Sequence, residues 1–216
     1  MAASQSVKLL LDQIEQPIAI FLKTEGFRKN GRTFNRETEK GIIQVINLQS
    51  GLFPVGENYT IPGFRESKYG QFTVNLGIGV DEIQKLTSPK APIKSIWKEY
   101  DCTIRIRLAS LLYSKDHWWD ITKKSEKTAS DIIKGLKKKG LPWLNMFDSR
   151  KKICENFTTE LALRADFDLA LITFFLEKEK GVLQLQDYYD RQGSNLGHKN
   201  YVADIATSMG VILQTD

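Results

Sequence analysis

The sequence predicts an α+β fold: an antiparallel sheet of about four strands, an N-terminal helix packed on it, and a C-terminal helical region. Three observations carry that expectation. Residues 71–80, QFTVNLGIGV, place Phe72, Val74, Leu76, Ile78 and Val80 at every second position, with Gln71, Thr73 and Asn75 between them, as in a strand with one buried face. An Asn30-Gly31 turn signal lies inside residues 27–49, which read as a hairpin. The periodic segments also run in the order helix, strands, helices, without the alternation of βαβ units.

Taken in order, residues 6–25 set Val7, Leu10, Leu11, Ile14, Ile18, Phe21 and Leu22 at helical spacing. Pro17 interrupts this pattern; it lacks a backbone donor and crowds the preceding turn, so the segment is expected to kink or split there. Gly26 is the expected stop. Residues 33–36 read as a strand, residues 37–41 as a polar loop, and residues 42–49 as a β-branched central strand covered on both sides. Its Gln44, Asn47 and Gln49 then need partners, because a buried amide without hydrogen bonds costs about 1–3 kcal/mol. Residues 50–70, with two prolines and little periodicity, read as a long loop over a site or a sheet edge.

Alternation returns at residues 101–108, where Cys102, Ile104, Ile106 and Leu108 point one way and Thr103, Arg105 and Arg107 the other. Residues 125–139 form an amphipathic helix pattern with Ala129, Ile132, Ile133 and Leu136 on its apolar stripe. Gly140 and Pro142 are expected to end it, placing Lys137, Lys138 and Lys139 at the negative end of its dipole. Residues 158–180 read as one long apolar helix stopped by Gly181, with further helices over 182–192 and 198–213. The expected organisation is an α+β domain over 1–150 with the helical region 151–216 packed on it.

Composition narrows the function classes. No apolar run approaches the roughly 20 residues of a membrane helix, and the N-terminus lacks the pattern of a secretion signal, so a soluble cytoplasmic protein without membrane contact is expected. Cys102 and Cys154 match no metal or redox spacing, and neither a metal nor a cofactor is expected. The net charge is +5, yet residues 121–152 alone hold ten basic against three acidic residues, so the rest of the chain is slightly acidic.

Two groups of residues are candidate binding sites. On the polar side of the sheet, Asn75, Arg105 and Arg107 offer amide and guanidinium groups suited to a carboxylate or phosphate, and Trp118 and Trp119 offer an adjoining aromatic surface. The competing account is that these groups satisfy one another and that one indole lies in the core. In the basic segment, Lys134, Lys137, Lys138 and Lys139 could neutralise phosphates while Trp143 stacks on a base, although a solvated helix face explains the same lysines. No catalytic signature stands beside these: His117 has no nucleophile placed near it, Gly77-Ile78-Gly79 lacks the rest of a phosphate fingerprint, and Asp166 and Asp168 read as a solvated helix face.

Several separated motifs resemble one family. They are Gly26-Phe27-Arg28-Lys29, Gly31-Arg32-Thr33-Phe34, residues 41–49, residues 72–77, Cys102-Thr103-Ile104-Arg105 with Arg107-Leu108, Trp118-Trp119, and Gly140-Leu141-Pro142-Trp143-Leu144. Together they are similar to the bacterial domain of unknown function 4304 family over roughly residues 8–150. The resemblance implies a bacterial cytosolic α+β domain without an assigned activity and transfers no catalytic residue. The resulting expectation is a non-enzymatic binding or interaction protein that presents the polar sheet face to another protein or a small anionic ligand. An immunity-type role toward a toxin is one version suggested by the bacterial context, and a nucleic-acid-associated protein using residues 123–152 is the alternative.

Overall fold

The computed structural model describes residues 2–51, 67–90, 95–121, 125–162 and 164–214, with side chains from Val7 onward. Helix α1 (Ala2–Thr24) runs through Pro17 as a single element. It does not split, because Leu11, Ile14, Ile18 and Leu22 on both sides of the proline bury against the same core and outweigh one missing backbone bond. Gly26, at φ +85, ends it as expected, with Phe27 N–H donating to Leu22 O at 3.0 Å and Gly26 N–H to Lys23 O at 3.1 Å.

Five strands follow one another in an antiparallel sheet: β1 (Arg28–Asn30), β2 (Thr33–Glu39), β3 (Ile42–Ser50), β4 (Gln71–Val80) and β5 (Ile104–Arg107). A two-residue strand, β6 (Trp119–Asp120), pairs with the start of β4, making six strands among the described residues instead of about four. The polar stretch after Arg36 is strand as far as Glu39, with a register shift at Glu37/Glu39, and the turn tightens onto Gly41 at φ +83. Of the long segment 50–70, residues 52–66 lie outside the described residues, so the expectation that it covers a site or edge falls there too.

One sheet face is apolar throughout its centre. Phe34, Ile42, Ile46, Leu48, Phe72, Val74, Leu76, Ile78, Val80 and Ile104 bury into a cluster that also takes in α1 and residues as far as Leu213. The other face is divided. Val45 and Ile43 are covered by Trp97 and Cys102. A Cβ on Gly79 would sit 2.3 Å from the Trp97 ring, and one on Gly77 would sit 2.6 Å from the Cys102 sulfur, so these two glycines provide clearance for the covering segment. Asn35 holds that segment in place, accepting from Trp97 N–H at 2.8 Å and donating to Trp97 O at 3.0 Å.

Among the described residues, four α-helices follow α1 before the C-terminal region: α2 (Asp81–Thr87), α3 (Leu108–Tyr113), α4 (Ser125–Gly135) and α5 (Leu141–Asn145). Gly140 and Pro142 do not stop α4. The chain passes through a wider π turn, Leu136–Gly140, straight into α5, with Gly140 in right-handed helical geometry and Pro142 within the first turn of α5. Gly140 is buried, and a Cβ there would meet Leu136 at 3.0 Å and Leu108 at 3.3 Å, so its role is close packing. The three lysines therefore occupy the π turn, where the expected contact with a helix C-terminus does not arise.

The C-terminal region contains α6 (Arg150–Asn156), capped by Ser149, then α7 (Ala165–Leu176), α8 (Lys178–Asp190) and α9 (Leu196–Ser208). The single helix expected over 158–180 is thus broken twice, before Ala165 and at Glu177, and Leu163 lies outside the described residues. Gly181 lies within α8, where a Cβ would fall 2.3 Å from Phe174 backbone atoms. The glycine lets α7 and α8 cross closely; it stops neither helix.

Candidate functional site

Strand pairing sets the polar residues of the divided face side by side. Asn75 lies opposite Asn47 on β3 and opposite Arg107 on β5, while Thr73 lies opposite Gln49. The amides in this row have partners: Asn75 Nδ2 donates to Gln49 Oε1 at 2.9 Å, and Asn47 Nδ2 donates to Thr33 Oγ1 at 3.0 Å. Thr73 Oγ1 donates to His117 O at 3.3 Å. Gln44 points to the opposite, core side, where it accepts from Arg36 and donates to Leu144 O at 2.9 Å. The shared face expected for Asn75, Arg105 and Arg107 follows directly from this register.

The two β5 arginines differ. Arg107 hydrogen-bonds Asp116 and lies over the Trp118 ring at 5.3 Å. Partial burial works against the charged form of Asp116, but the hydrogen bond and charge of Arg107 outweigh it and hold the carboxyl below the usual aspartate value. Arg105 is 52% exposed, and the carboxylate it pairs with among the described residues, Glu99, stands at 3.8 Å, beyond hydrogen-bonding distance.

A cleft of about 780 Å³ runs along β5. Asn75, Arg105 and Arg107 line it from the polar face, whereas Ile106 and Ile83 line it from the core side and Leu161, Arg164 and Asp168 contribute from the C-terminal region. Asp168 is 5% exposed and accepts from Arg164 at 3.1 Å. Burial raises its carboxyl above the ordinary aspartate value despite the attraction of Arg164. This corrects the reading of Asp168 as part of a solvated helix face: it lies on the buried side of α7 with Ala165, Leu171 and Ile172.

The tryptophan pair divides between core and boundary. Trp119 is buried, 5.9 Å from Phe72 by ring centroids, and is not part of an open aromatic surface. Trp118 is half-buried at the edge of the site. In the basic segment, Lys134, Lys137, Lys138 and Lys139 are exposed and form no ion pair among the described residues, and Lys137 Nζ stands 5.1 Å over Phe21. Trp143 is buried edge-on to Phe147 with centroids 5.1 Å apart, so base stacking by this side chain is overturned by its place in the core. Among the described residues no group of three or more His, Cys, Asp and Glu converges as a metal site.

Residues 56–146 match the family model of a domain of unknown function, DUF4304. This segment is narrower than the 8–150 expected from the motifs and takes in β4, β5 and β6, with α2, α3, α4 and α5. The matched segment therefore contributes Asn75, Arg105 and Arg107 to the cleft, while Arg164 and Asp168 come from beyond it. No curated protein and no solved structure matches the chain.

Residues missed in the sequence are Glu99, Arg164 and Asp168. An i, i+4 Arg–Asp spacing is present, but the same spacing is common on solvated helices and does not indicate that this pair meets a strand edge about sixty residues earlier.

Proposed function

We propose that the protein is a binding or interaction protein that receives another protein or a small anionic ligand in the β5 cleft. The observation that carries this reading is the exposed Arg105 guanidinium, 3.8 Å from the one carboxylate it pairs with among the described residues and placed over a cleft whose neighbouring amides are already fixed by internal hydrogen bonds. A guanidinium fork binds a carboxylate or phosphate through two parallel bonds, and fixed neighbours lower the entropy lost on binding. A cytoplasmic bacterial setting belongs to the same reading and comes from the family resemblance alone.

Affinity capture from native cytosol tests it, with nucleic acid digested in a parallel sample. The Arg105→Ala/Arg107→Ala double variant is expected to lose the captured partner while retaining its helical signal and melting midpoint. Undiminished capture by that variant refutes the cleft reading. Capture lost instead in a Lys137→Glu/Lys138→Glu/Lys139→Glu variant, and sensitive to nuclease and salt, assigns the partner to nucleic acid on the basic face.

A further inference from the structure

The lining of the cleft draws on both faces of the sheet at once. Residues 105 and 107 of β5 point to the polar face and residue 106 to the core side, and all three line the same cavity. A ligand resting on either face would touch only one of these sets. An occupant lying in the plane of the sheet, beside the edge, touches both. β5 is that edge: it pairs with β4 on one side and is the last strand in the sheet order among the described residues.

Resting on the cleft reading above, we propose that the partner is an extended peptide segment that adds to the sheet as a strand beside β5, alternating apolar with acidic residues. Alternation follows from strand geometry, since successive side chains of the incoming segment point to opposite faces. Its apolar positions meet Ile83, Ile106 and Leu161, and its acidic positions meet Arg105 on the opposite face. The acidic preference rests on charge and distance: Arg105 is half-exposed, and Glu99 at 3.8 Å leaves its donors open to a closer carboxylate. Arg107 is already held by Asp116 and Trp118, so it contributes field more than a free fork. Arg164, held by Asp168, closes the far wall. The four residues of β5 make this a short site of roughly 13 Å at the rise of a strand, and a segment of about seven residues, roughly 23 Å long, spans it with a residue or two to spare at each end.

Fluorescence anisotropy with the full chain tests the assignment. The probes are an array of labelled peptides of that length alternating Val, Ile, Leu or Phe with Glu or Asp, the same array with Lys in place of the acids, and the best binder carrying N-methyl groups on one or the other alternate set of amides. Acidic peptides are expected to bind and lysine peptides to fail, with affinity falling on the order of tenfold or more in Arg105→Glu. N-methylation of one alternate set is expected to abolish binding and of the other to leave it, because only one set of strand amides faces β5.

Equal tolerance of both methylated sets overturns strand addition while leaving an Arg105-dependent binding cleft. So does an array without binders when the Arg105→Ala/Arg107→Ala variant loses the captured cytosolic partner. An array without binders together with capture unchanged in that variant overturns both readings. Concentration-dependent dimerisation that competes with the acidic peptides would make the occupant the same edge of a second copy, and would overturn the peptide assignment.

Discussion

Arg150 and Arg105 both face carboxylates, yet they sit in opposite physical settings. Arg150 is 13% exposed and is gripped from three directions, by Glu39 at the end of β2, by Glu82 on α2 and by Lys40 O, to which it donates at 2.8 Å. Burial works against its charge, but the hydrogen bonds of Glu82 and Glu39 outweigh it and raise its pKa further above the ordinary arginine value. Arg105 is 52% exposed, with one carboxylate at 3.8 Å. The first is a tie between α6, α2 and the β2–β3 turn; the second has donors left over. What separates structural from recognition arginines here is the number and closeness of internal partners.

The largest expected effect comes from cutting the tie. Arg150→Ala leaves Glu82 and Glu39 without their cation and is expected to destabilise the fold by about 3 kcal/mol, read as a lowered urea midpoint. Next is the covered half of the divided face. Gly79→Ala drives a Cβ to within 2.3 Å of the Trp97 ring and is expected to cost about 1–3 kcal/mol, with a change in tryptophan fluorescence as Trp97 moves out. If Gly79→Ala proved neutral, the distinction between a closed apolar half and an open polar half would fail.

Much of this division was legible in the sequence, and the reason is the strand period. Residues 71–80 and 101–108 alternate because one face of each is buried, so Asn75, Arg105 and Arg107 fall on a common side once the two strands share an apolar face, which the β4–β5 pairing supplies. The helix breaks were less legible, since glycine serves two purposes. Gly26 supplies a left-handed turn, whereas Gly140 and Gly181 permit close approach inside helices, and the local sequence does not distinguish these uses. The tryptophans show the same limit: Trp119 and Trp143 are core side chains because of what packs against them, Phe72 and Phe147, which no local pattern specifies. The far wall of the cleft is built by Leu161, Arg164 and Asp168, which only tertiary packing brings to β5.

Asp168 provides a pH test of that far wall. Its carboxyl is raised by burial, so the folded chain holds this proton more tightly than the unfolded chain does. The charged form therefore costs stability above the native value, and the cost fades as pH falls through that value toward the ordinary 3.8. Asp168→Asn removes the titration. Relative to this variant, the wild type is expected to gain stability as pH falls from neutral through the raised native value, in urea midpoints measured on both; a gain in the opposite direction would mean that Arg164 dominates the site.

The smallest expected effect on stability is also the sharpest for the comparison. Arg105 gives up, among the described residues, a single exposed ion pair at 3.8 Å, and pairs of that kind contribute at most about 1 kcal/mol. Arg105→Ala should therefore shift the urea midpoint by no more than about 0.5 kcal/mol of stability, close to the scatter for surface substitutions. Glu99→Gln should be equally mild and should at the same time strengthen binding of an acidic ligand, because the internal competitor for the guanidinium has gone. A tie like that of Arg150 would behave in the reverse manner, losing stability with either partner and gaining no affinity. Measured together, the two substitutions decide whether Arg105 is held for the fold or held open for a partner.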